Sequence, residues 1–254
     1  MRVLLTILIL FIFTLNTNLY VFSQSSDLKN QDPNYKDLIG HWAENEFRWL
    51  IEKGIISGVK ANGVMLAKPD EKLTRAEAVV IILRTIFEKE LLEEEIKKLK
   101  EDSFKDISNH WSRDYINVAA RYGLVKGYSD KTFRPNQRIT REEFVLMVIR
   151  VSKYREQAAS EGKQNDKKVK FKDVSVNNFG YNEIIFAVEK GLIKGYSDGT
   201  FRPRSYISRA EAAVIVARAL KADLFITYRA KKPGVKIKLC LKYDKIAMEV
   251  GYNG

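Results

Sequence analysis

The sequence predicts an all-α fold in which three copies of one unit pack with pseudo-threefold order. The stretch "GIISG" at 54–58 returns as "GLVKG" at 123–127 and as "GLIKG" at 191–195, so the spacing between copies is nearly constant. Each copy also contains one amphipathic segment and one segment that is apolar on almost every side. A fixed period of this kind is typical of repeat architectures, in which each unit buries its apolar face against its neighbours.

The first helix of each unit is predicted from one-sided apolar spacing. In the first unit Phe47, Leu50 and Ile51 fall on one face of a helix, which indicates a helix that packs on one side only. A glycine follows each of these helices, where a left-handed cap is expected. These glycines are Gly54, Gly123 and Gly191. We therefore expect the three amphipathic helices to lie on the outside of the fold.

The second helix of each unit is predicted to be buried on most faces. Its apolar runs are "AVVIIL" at 78–83, "FVLMVI" at 144–149 and "AAVIVA" at 212–217. Helices that are apolar all round must be surrounded by other elements. The sequence therefore predicts a central three-helix bundle, with at most very short strands at the turns.

The segments between and beyond the units differ in composition. "EKELLEEEIKKLKEDS" has Glu and Lys at helical spacing, such as Glu94 with Lys98, and indicates a solvated helix. "REQAASEGKQNDKKVK" has no periodic apolar face and indicates a mobile linker. In the tail Val235, Ile237 and Leu239 alternate with lysines or Cys240, a strand pattern that predicts a short β-hairpin-like tail. This tail either docks on the helices or begins a domain that the sequence does not complete.

The predicted organisation follows from these segments. It comprises a signal peptide (1–23), repeat 1 (35–87), a connecting helix (88–103), repeat 2 (104–152), a linker (153–170), repeat 3 (171–220) and a basic tail (221–254). The signal peptide is indicated by Arg2, a short apolar run at 3–13 and the small residue Ser23 near a cleavage point. An uncleaved membrane anchor is the alternative interpretation of this leader.

Charge and cysteine content limit the classes of partner. The net charge of +12 favours anionic partners, whether nucleic acid, anionic lipid headgroups or acidic polysaccharide, although a basic surface can also serve solubility alone. Export argues against nucleic acid and favours a polymer of the cell envelope. With Cys240 as its one cysteine, the chain has no internal disulfide to form.

A capping box precedes each of the apolar helices. Ser or Thr stands three residues before Glu in Thr74–Glu77, Thr140–Glu143 and Ser208–Glu211, the spacing that satisfies unpaired backbone donors at a helix start. The residue after the Ser or Thr is an arginine each time, and a cation at this place is disfavoured by roughly 0.3–1 kcal/mol. Because this cost recurs in all three repeats, we infer that the arginines have a function. They are Arg75, Arg141 and Arg209.

Two uses of the arginines remain open from the residues alone. The guanidinium groups can face outward and, together with free helix-start amides, bind a carboxylate or phosphate. Alternatively they can form internal salt bridges with an aspartate of a neighbouring unit. The candidate aspartates are Asp37, Asp106 and Asp173.

The motifs together resemble the S-layer homology (SLH) domain over about residues 35–220. They are an aromatic-x-Asp-aliphatic stretch, His-Trp, Gly-x-x-x-Gly-Tyr-x-Asp, Phe-Arg-Pro and Thr-Arg-x-Glu, in this order. The resemblance implies a three-pronged pseudo-trimer around a central three-helix bundle. It also implies non-covalent anchoring of exported proteins to secondary cell wall polysaccharide, often pyruvylated, in grooves between the prongs.

By this resemblance a set of residues is expected to bind the glycan or to support its binding. They are Arg75, Arg141, Arg209, Asp37, Asp106, Asp173, Trp42, Trp111, Gly127, Tyr128, Gly195 and Tyr196. The tryptophans are either sugar-stacking residues or core residues. The third repeat has Asn178-Phe179 at the His-Trp position, and the first has Ala67-Lys68-Pro69 in place of Phe-Arg-Pro and lacks the Gly-Tyr-x-Asp turn.

The resulting expectation is a secreted, non-catalytic protein of the cell envelope that binds an acidic glycan. We expect a monomeric pseudo-trimer with no cofactor, no metal site, no nucleic-acid partner and no membrane association once the leader is removed. His41 and His110 are interpreted as helix-start residues, and no nucleophile elbow or phosphate loop is present. Two alternatives stay open: the anchoring half of a larger surface enzyme or S-layer protein, and an envelope protein that binds peptidoglycan.

Overall fold

The computed structural model describes residues 35–161 and 171–228, and these residues are mostly helical, as predicted. Their elements in chain order are a 3₁₀ turn (Lys36–Leu38), α1 (Glu44–Glu52), β1 (Val59–Ala61), β2 (Val64–Leu66), α2 (Arg75–Ile86), α3 (Lys89–Lys97), α4 (Arg113–Arg121), α5 (Arg141–Arg150), α6 (Arg155–Glu161), α7 (Tyr181–Glu189) and α8 (Arg209–Lys221). The predicted signal peptide at 1–23 and the alternating tail at 235–241 lie outside the described residues. None of the described helices is long and apolar enough to cross a membrane.

The three capping-box helices α2, α5 and α8 form the centre of the fold. Their apolar runs are buried almost throughout, which confirms the expectation drawn from their all-round apolar character. The three segments of the chain that precede these helices join in a closed ring of backbone hydrogen bonds. Leu73 donates to Ile207 at 3.0 Å, Ile207 donates to Ile139 at 3.1 Å, and Ile139 donates back to Leu73 at 3.0 Å. This ring fixes the pseudo-threefold arrangement of the helix starts.

Each outer helix packs on the central helix of the preceding repeat. Helix α4 contacts α2, α7 contacts α5, and α1 closes the circle by contacting α8. The glycines after the three outer helices have the expected left-handed conformation, with φ of 69° at Gly54, 66° at Gly123 and 69° at Gly191. The three repeats therefore form a closed ring with three junctions between consecutive repeats.

The first repeat replaces the Gly-Tyr-x-Asp turn by a β-hairpin. Strands β1 and β2 pair antiparallel, with Val59 opposite Leu66 and Ala61 opposite Val64. The two turn residues, Asn62 and Gly63, both have positive φ, 49° and 79°, which a type I′ hairpin turn requires. The very short strands expected at the turns are thus confined to this repeat among the described residues.

Two connecting segments are more tightly packed than their composition indicates. Helix α3 forms in the predicted connecting segment, but Leu92 and Glu95 are buried, so the helix is not solvated all round. The expectation of a mobile linker is wrong for its first part, because α6 packs against α7 and buries Ala158 completely. One alanine and the aromatic Tyr154 beside it make too small an apolar face to be recognised as a periodic pattern. Residues 162–170 lie outside the described part.

The chain after α8 joins the ends of all three central helices. Leu224 donates a backbone hydrogen bond to Ala219 of α8 at 2.9 Å, and its carbonyl accepts one from Lys153, just beyond α5. Further on, the ring of Tyr228 stacks on Phe87 at the end of α2, with ring centroids 4.5 Å apart. The first residues of the predicted tail therefore belong to the packed fold.

Candidate ligand-binding grooves

The starts of the central helices carry the predicted capping boxes, but their amides are not free. In all three repeats the Ser or Thr hydroxyl accepts from the Glu amide, and the Glu carboxylate accepts from the Ser or Thr amide. The next two donors are bound by the following repeat: Arg75 donates its amide to Gln137 and Ala76 donates to Pro135. Arg141 and Arg209 do the same with the loops that face them. The expectation of free amides for an anion is therefore wrong, because a neighbouring loop fills each helix start.

The capping-box arginines also point inward rather than outward. The Nε of Arg141 donates to the carbonyl of Phe201 at 3.0 Å, its Nη1 pairs with Glu211 Oε1 at 2.7 Å, and its Nη2 donates to the carbonyl of Lys194 at 3.4 Å. Only 4% of its side chain is exposed. Every nitrogen of this guanidinium is therefore engaged by protein atoms.

The two equivalent arginines are held in the same way. Arg75 pairs with Glu143 and Arg209 pairs with Glu77, each at 3.5 Å, and burial lowers the pKa of Arg209. Of the two uses left open by the sequence, the outward orientation is thus excluded for all three arginines. The physical reason is that each capping-box glutamate has two oxygens: one caps its own helix, and the other pairs with the arginine of the preceding repeat. The recurrence of both the arginine and the glutamate in all three capping boxes is the sequence signal that could have indicated these pairs.

The three aspartates do not contact the arginines, which excludes the alternative of Asp–Arg salt bridges. Asp106 accepts from the backbone amides of Phe133 and Arg134, both at 2.7 Å. Asp37 and Asp173 bind the equivalent amides of their own repeats. The carboxylate thereby fixes the turn whose carbonyl, on Phe133, accepts from Arg75. The aspartates consequently support the arginines through the backbone.

The Gly-Tyr pairs bring an aromatic ring between two guanidinium groups. At Gly195 an added Cβ would lie 2.2 Å from Cε1 of Phe171, so only glycine permits this approach. The following Tyr196 lies between Arg202 at 3.9 Å and Arg141 at 4.8 Å, measured from each guanidinium carbon to the ring centroid. Its hydroxyl donates to Glu211 Oε1 at 2.8 Å. Burial, followed by this bond to Glu211, raises the pKa of Tyr196.

The second repeat contains the same stack in a looser form. Gly127 approaches Phe104 as closely as its counterpart does. Tyr128 lies between Arg134 at 3.8 Å and Arg75 at 5.2 Å. Its hydroxyl, however, donates to Gln137 at 3.3 Å and not to the capping-box glutamate.

An open cleft lies between repeats 2 and 3, and we call it groove B. It is a cleft of about 290 Å³. Its lining includes Arg141, Lys194, Tyr196, Glu211 and Arg218, with Trp42 of the first repeat at its side. Residues from all three repeats therefore meet at this cleft.

The tryptophans are exposed, which excludes the alternative that they are core residues. Trp42 is 63% exposed and Trp111 is 62% exposed. Phe179, at the same position of the third repeat, is also exposed. Large aromatic faces open to solvent are unusual for a packing role and suit contact with a ligand.

The groove between repeats 1 and 2, groove A, is much smaller. Its cavity measures about 30 Å³, roughly the volume of one water molecule. It is lined by Arg75, Lys126, Glu143 and Arg150, among others. Glu183 lies close enough to Arg150 and Glu142 for their charges to act on it, and burial raises the pKa of Glu183. The junction between repeats 3 and 1 contains the equivalent ion pair, Arg209 with Glu77.

A second set of arginines recurs at one repeat position and was missed from the sequence. Each stands nine residues after the capping-box arginine, in the last turn of a central helix. They are Arg84, Arg150 and Arg218. A basic residue at a helix end is common for electrostatic reasons, so this recurrence did not stand out. The recurrence in all three units was the available signal.

Neither histidine forms part of a metal site within the described residues, which contain no group of three or more His, Cys, Asp or Glu side chains suited to an ion. His41 Nδ1 accepts from the Ala43 amide at 3.2 Å, and His110 Nδ1 accepts from the Ser112 amide at 3.3 Å. Both histidines are thus helix-start residues, as their position predicted.

Comparison with known proteins places the repeats in a family. The chain is 37% identical over 157 residues to a cellulosome-anchoring protein of Acetivibrio thermocellus, covering 61% of this chain and 34% of that protein. It is 30% identical over 178 residues to S-layer protein EA1 of Bacillus anthracis, covering 70% and 19% respectively. It is 27% identical over 204 residues to exoglucanase XynX of Acetivibrio thermocellus, covering 78% and 17%. The chain thus spans about a third or less of the length of these relatives.

The family match covers the three repeats separately. Residues 34–79, 103–145 and 170–213 each match the family described as the S-layer homology domain. These stretches make up more than half of the chain and contain the capping boxes, the aspartates and the Gly-Tyr turns described above. The chain therefore belongs to the S-layer homology domain family, as a module of three tandem SLH repeats.

Proposed function

We propose that this chain is exported and anchors protein to the bacterial cell surface without covalent attachment, by binding an acidic, pyruvylated wall polysaccharide. The binding site is groove B. The single observation that carries this proposal is an open cleft in which an exposed tryptophan stands beside cations that have no carboxylate partner.

The charges of groove B favour an anionic ligand. Arg141 and Glu211 form an ion pair at 2.7 Å and neutralise each other. Lys194 and Arg218 also line the cleft, and neither forms an ion pair with any residue that the structure describes. The cleft consequently keeps a surplus of positive charge. This charge attracts anions, and added salt weakens the attraction.

Trp42 provides the complementary apolar surface. The faces of a sugar ring carry C–H groups that pack on aromatic rings, while the carboxylate of a pyruvyl ketal accepts hydrogen bonds from cations. Affinity for a polymer also gains from several linked contacts, since each bound sugar raises the effective concentration of the next. Trp111 offers a similar exposed ring in the second repeat.

The relatives support anchoring and favour an anchor that forms part of a larger protein. The names of two of them refer to cellulosome anchoring and to the S-layer, and a third is an exoglucanase. The match covers only a small part of each of these proteins. We therefore also consider that this module serves as the anchoring part of a larger surface protein or enzyme, with catalysis located outside the SLH repeats.

Sedimentation with purified cell walls tests the proposed function. The chain is mixed with intact walls, with walls from which mild acid has removed the pyruvyl ketals, and with sacculi stripped of secondary polymer. We expect co-sedimentation with the intact walls only, and a reduced bound fraction for Trp42→Ala. The matched control is Val176→Ala, an equally exposed apolar residue that does not line groove B. Retention on stripped sacculi would instead identify a peptidoglycan binder and overturn the proposal.

A further inference from the structure

Two guanidinium groups line groove B, and they differ in what they already bind. Arg141 is almost completely buried and has a protein acceptor on every nitrogen. Arg218 is only half-buried, and its one hydrogen bond within the described residues is a long one, 3.4 Å from Nη1 to the carbonyl of Leu192. No carboxylate of the described residues pairs with it. Of the two, Arg218 has donors to offer a ligand.

Arg141 cannot take a ligand carboxylate without giving up its present partner. Glu211 Oε1 accepts from Nη1 of Arg141 at 2.7 Å and from the hydroxyl of Tyr196 at 2.8 Å. Its other oxygen, Oε2, accepts from the amide of Ser208 and caps α8. Displacing Glu211 would therefore disturb the capping box and leave the carboxylate of Glu211 without its cation, which is strongly unfavourable.

We infer that Arg218 is the residue of groove B that binds the carboxylate of the glycan, and that Arg141 positions the groove without contacting that carboxylate. This inference rests on the proposed function. A guanidinium with free donors forms two parallel hydrogen bonds to a carboxylate, and these bonds are stronger and more directional than bonds between neutral groups. Lys194, in the same lining, adds a second positive charge as a flexible point contact.

The two equivalent arginines are differently placed. Arg84 donates to the hydroxyl of Ser57 at 3.1 Å and lies 5.7 Å from the ring of Tyr115. Arg150 lines the 30 Å³ cavity of groove A, and its charge acts on Glu183. Neither combines a free guanidinium with a roomy cleft in the described structure. The inference therefore applies to groove B and not to all three junctions alike.

The size of the cleft sets the ligand class. At about 290 Å³ groove B lies near the lower end of small-molecule sites, which run from about 300 to about 1,000 Å³. This is room for one ring bearing a ketal, with the rest of the polymer outside the cleft. A terminal or singly displayed acidic sugar fits this description better than a buried oligosaccharide.

Two synthetic ligands that differ only in the carboxylate test its contribution to binding. One is a methyl hexopyranoside with a 4,6-linked pyruvyl ketal; the other carries the 4,6-isopropylidene ketal, in which a methyl group replaces the carboxylate. Dissociation constants of both are measured by NMR titration of the full chain and of Arg218→Gln, Arg218→Lys and Arg84→Gln. Thermal melting of each variant confirms that it is folded.

The expected results are specific to the carboxylate. The parent should bind the acidic ketal at least tenfold more tightly than the neutral one, and Arg218→Gln should abolish most of this preference. Arg218→Lys should keep part of it, because the charge remains but the bidentate geometry is lost. Arg84→Gln should match the parent.

Two other outcomes overturn different statements. If the parent does not distinguish the two ketals, the proposed function is wrong and the inference falls with it. If the parent distinguishes them and Arg218→Gln does so equally well, the proposed function stands and the role of Arg218 is wrong.

Discussion

Grooves A and B are built from the same motif, yet they differ in space and charge. Both have a capping-box arginine paired with the glutamate of the next repeat, and both have a tyrosine stacked between two arginines. Groove B nevertheless encloses about 290 Å³ and groove A about 30 Å³. The motif therefore builds the wall of a groove, and the residues outside the motif decide whether the groove is open.

Two side chains differ at equivalent positions of the two linings. Leu146 and Met147 line groove A at the positions where groove B has Val214 and Ile215. Leu146 is one methylene larger than Val214, and the unbranched Met147 reaches farther than Ile215. Because packed interiors leave little unused volume, these side chains narrow groove A, but they are too similar in size to explain the whole difference between the grooves.

The surroundings of the last-turn arginines also differ in charge. Arg150 acts electrostatically on the partly buried Glu183, which also feels the charge of Glu142. Glu142, in the first turn of α5, takes the place of an alanine in the other two repeats, and one of its oxygens accepts from the amide of Gly180 at 2.7 Å. Arg218 pairs with no carboxylate of the described residues, so the surplus positive charge of groove B remains available.

The largest effect that would sharpen this comparison is expected from Arg141→Ala. The substitution leaves Glu211 without its charge partner and two backbone carbonyls without a donor, so the free energy of unfolding should fall by about 3 kcal/mol. Arg75→Ala should cost less, because its side chain is more exposed and its ion pair is longer, 3.5 Å against 2.7 Å. Urea denaturation of both variants measures the difference.

Equal losses in the two variants would contradict the distinction between tight and loose pairs. A loss of glycan binding by Arg141→Ala would, for the same reason, not identify Arg141 as a ligand-binding residue. That loss of binding would have to be distinguished from unfolding of the variant.

A smaller effect is expected when the tyrosine hydroxyls are removed. Tyr196→Phe deletes a 2.8 Å hydrogen bond to Glu211 and should lower the free energy of unfolding by about 1 kcal/mol. Tyr128→Phe deletes an exposed 3.3 Å bond to Gln137 and should lower it by less than half of that. Thermal melting of the two variants, compared at one pH, tests this. A larger loss for Tyr128→Phe would show that the stack of groove A is the more important one.

The smallest effect concerns pH and Glu183. Burial raises the pKa of Glu183, so in the folded state this carboxyl holds its proton at pH values where the unfolded chain has lost it. Stability contributed by this group is therefore present below the unfolded pKa and is lost as the pH rises through the folded pKa. Glu183→Gln should raise the melting temperature slightly at neutral pH, and the gain should vanish as the pH falls below about 4.5.

Glu46→Gln is the matched control for that experiment. Glu46 occupies the same position of α1 and forms only a weak ion pair with Lys221, 3.9 Å long. Its replacement should give no gain in stability at neutral pH. A gain of equal size in both variants would mean that burial at Glu183 is not the cause.

The sequence predicted most of the fold because its signals were local and repeated. The capping boxes at Thr74, Thr140 and Ser208 and the all-round apolar runs that follow them sufficed for the central helices. The helix in the predicted linker was missed because it depends on a single buried alanine, Ala158, and on contacts with a helix more than twenty residues away.

The site was predicted less well, because its contacts join residues of different repeats. Arg141 and Glu211 are 70 residues apart in the sequence, and Arg209 and Glu77 are farther apart still, so nothing in the local sequence shows that these side chains pair. Local patterns marked both residues as significant. Only the structure of the closed ring shows that Arg141 and Glu211 bind each other. It also shows that Arg218 has no carboxylate partner among the described residues.

The most direct test of this account is a crystal structure of the chain bound to a hexoside that carries a pyruvyl ketal. We predict the sugar ring in groove B beside Trp42, its carboxylate about 3 Å from the guanidinium of Arg218, and the Arg141–Glu211 pair unchanged. A carboxylate bound to Arg141 with Glu211 displaced, or a sugar seated in groove A with groove B empty, would contradict it.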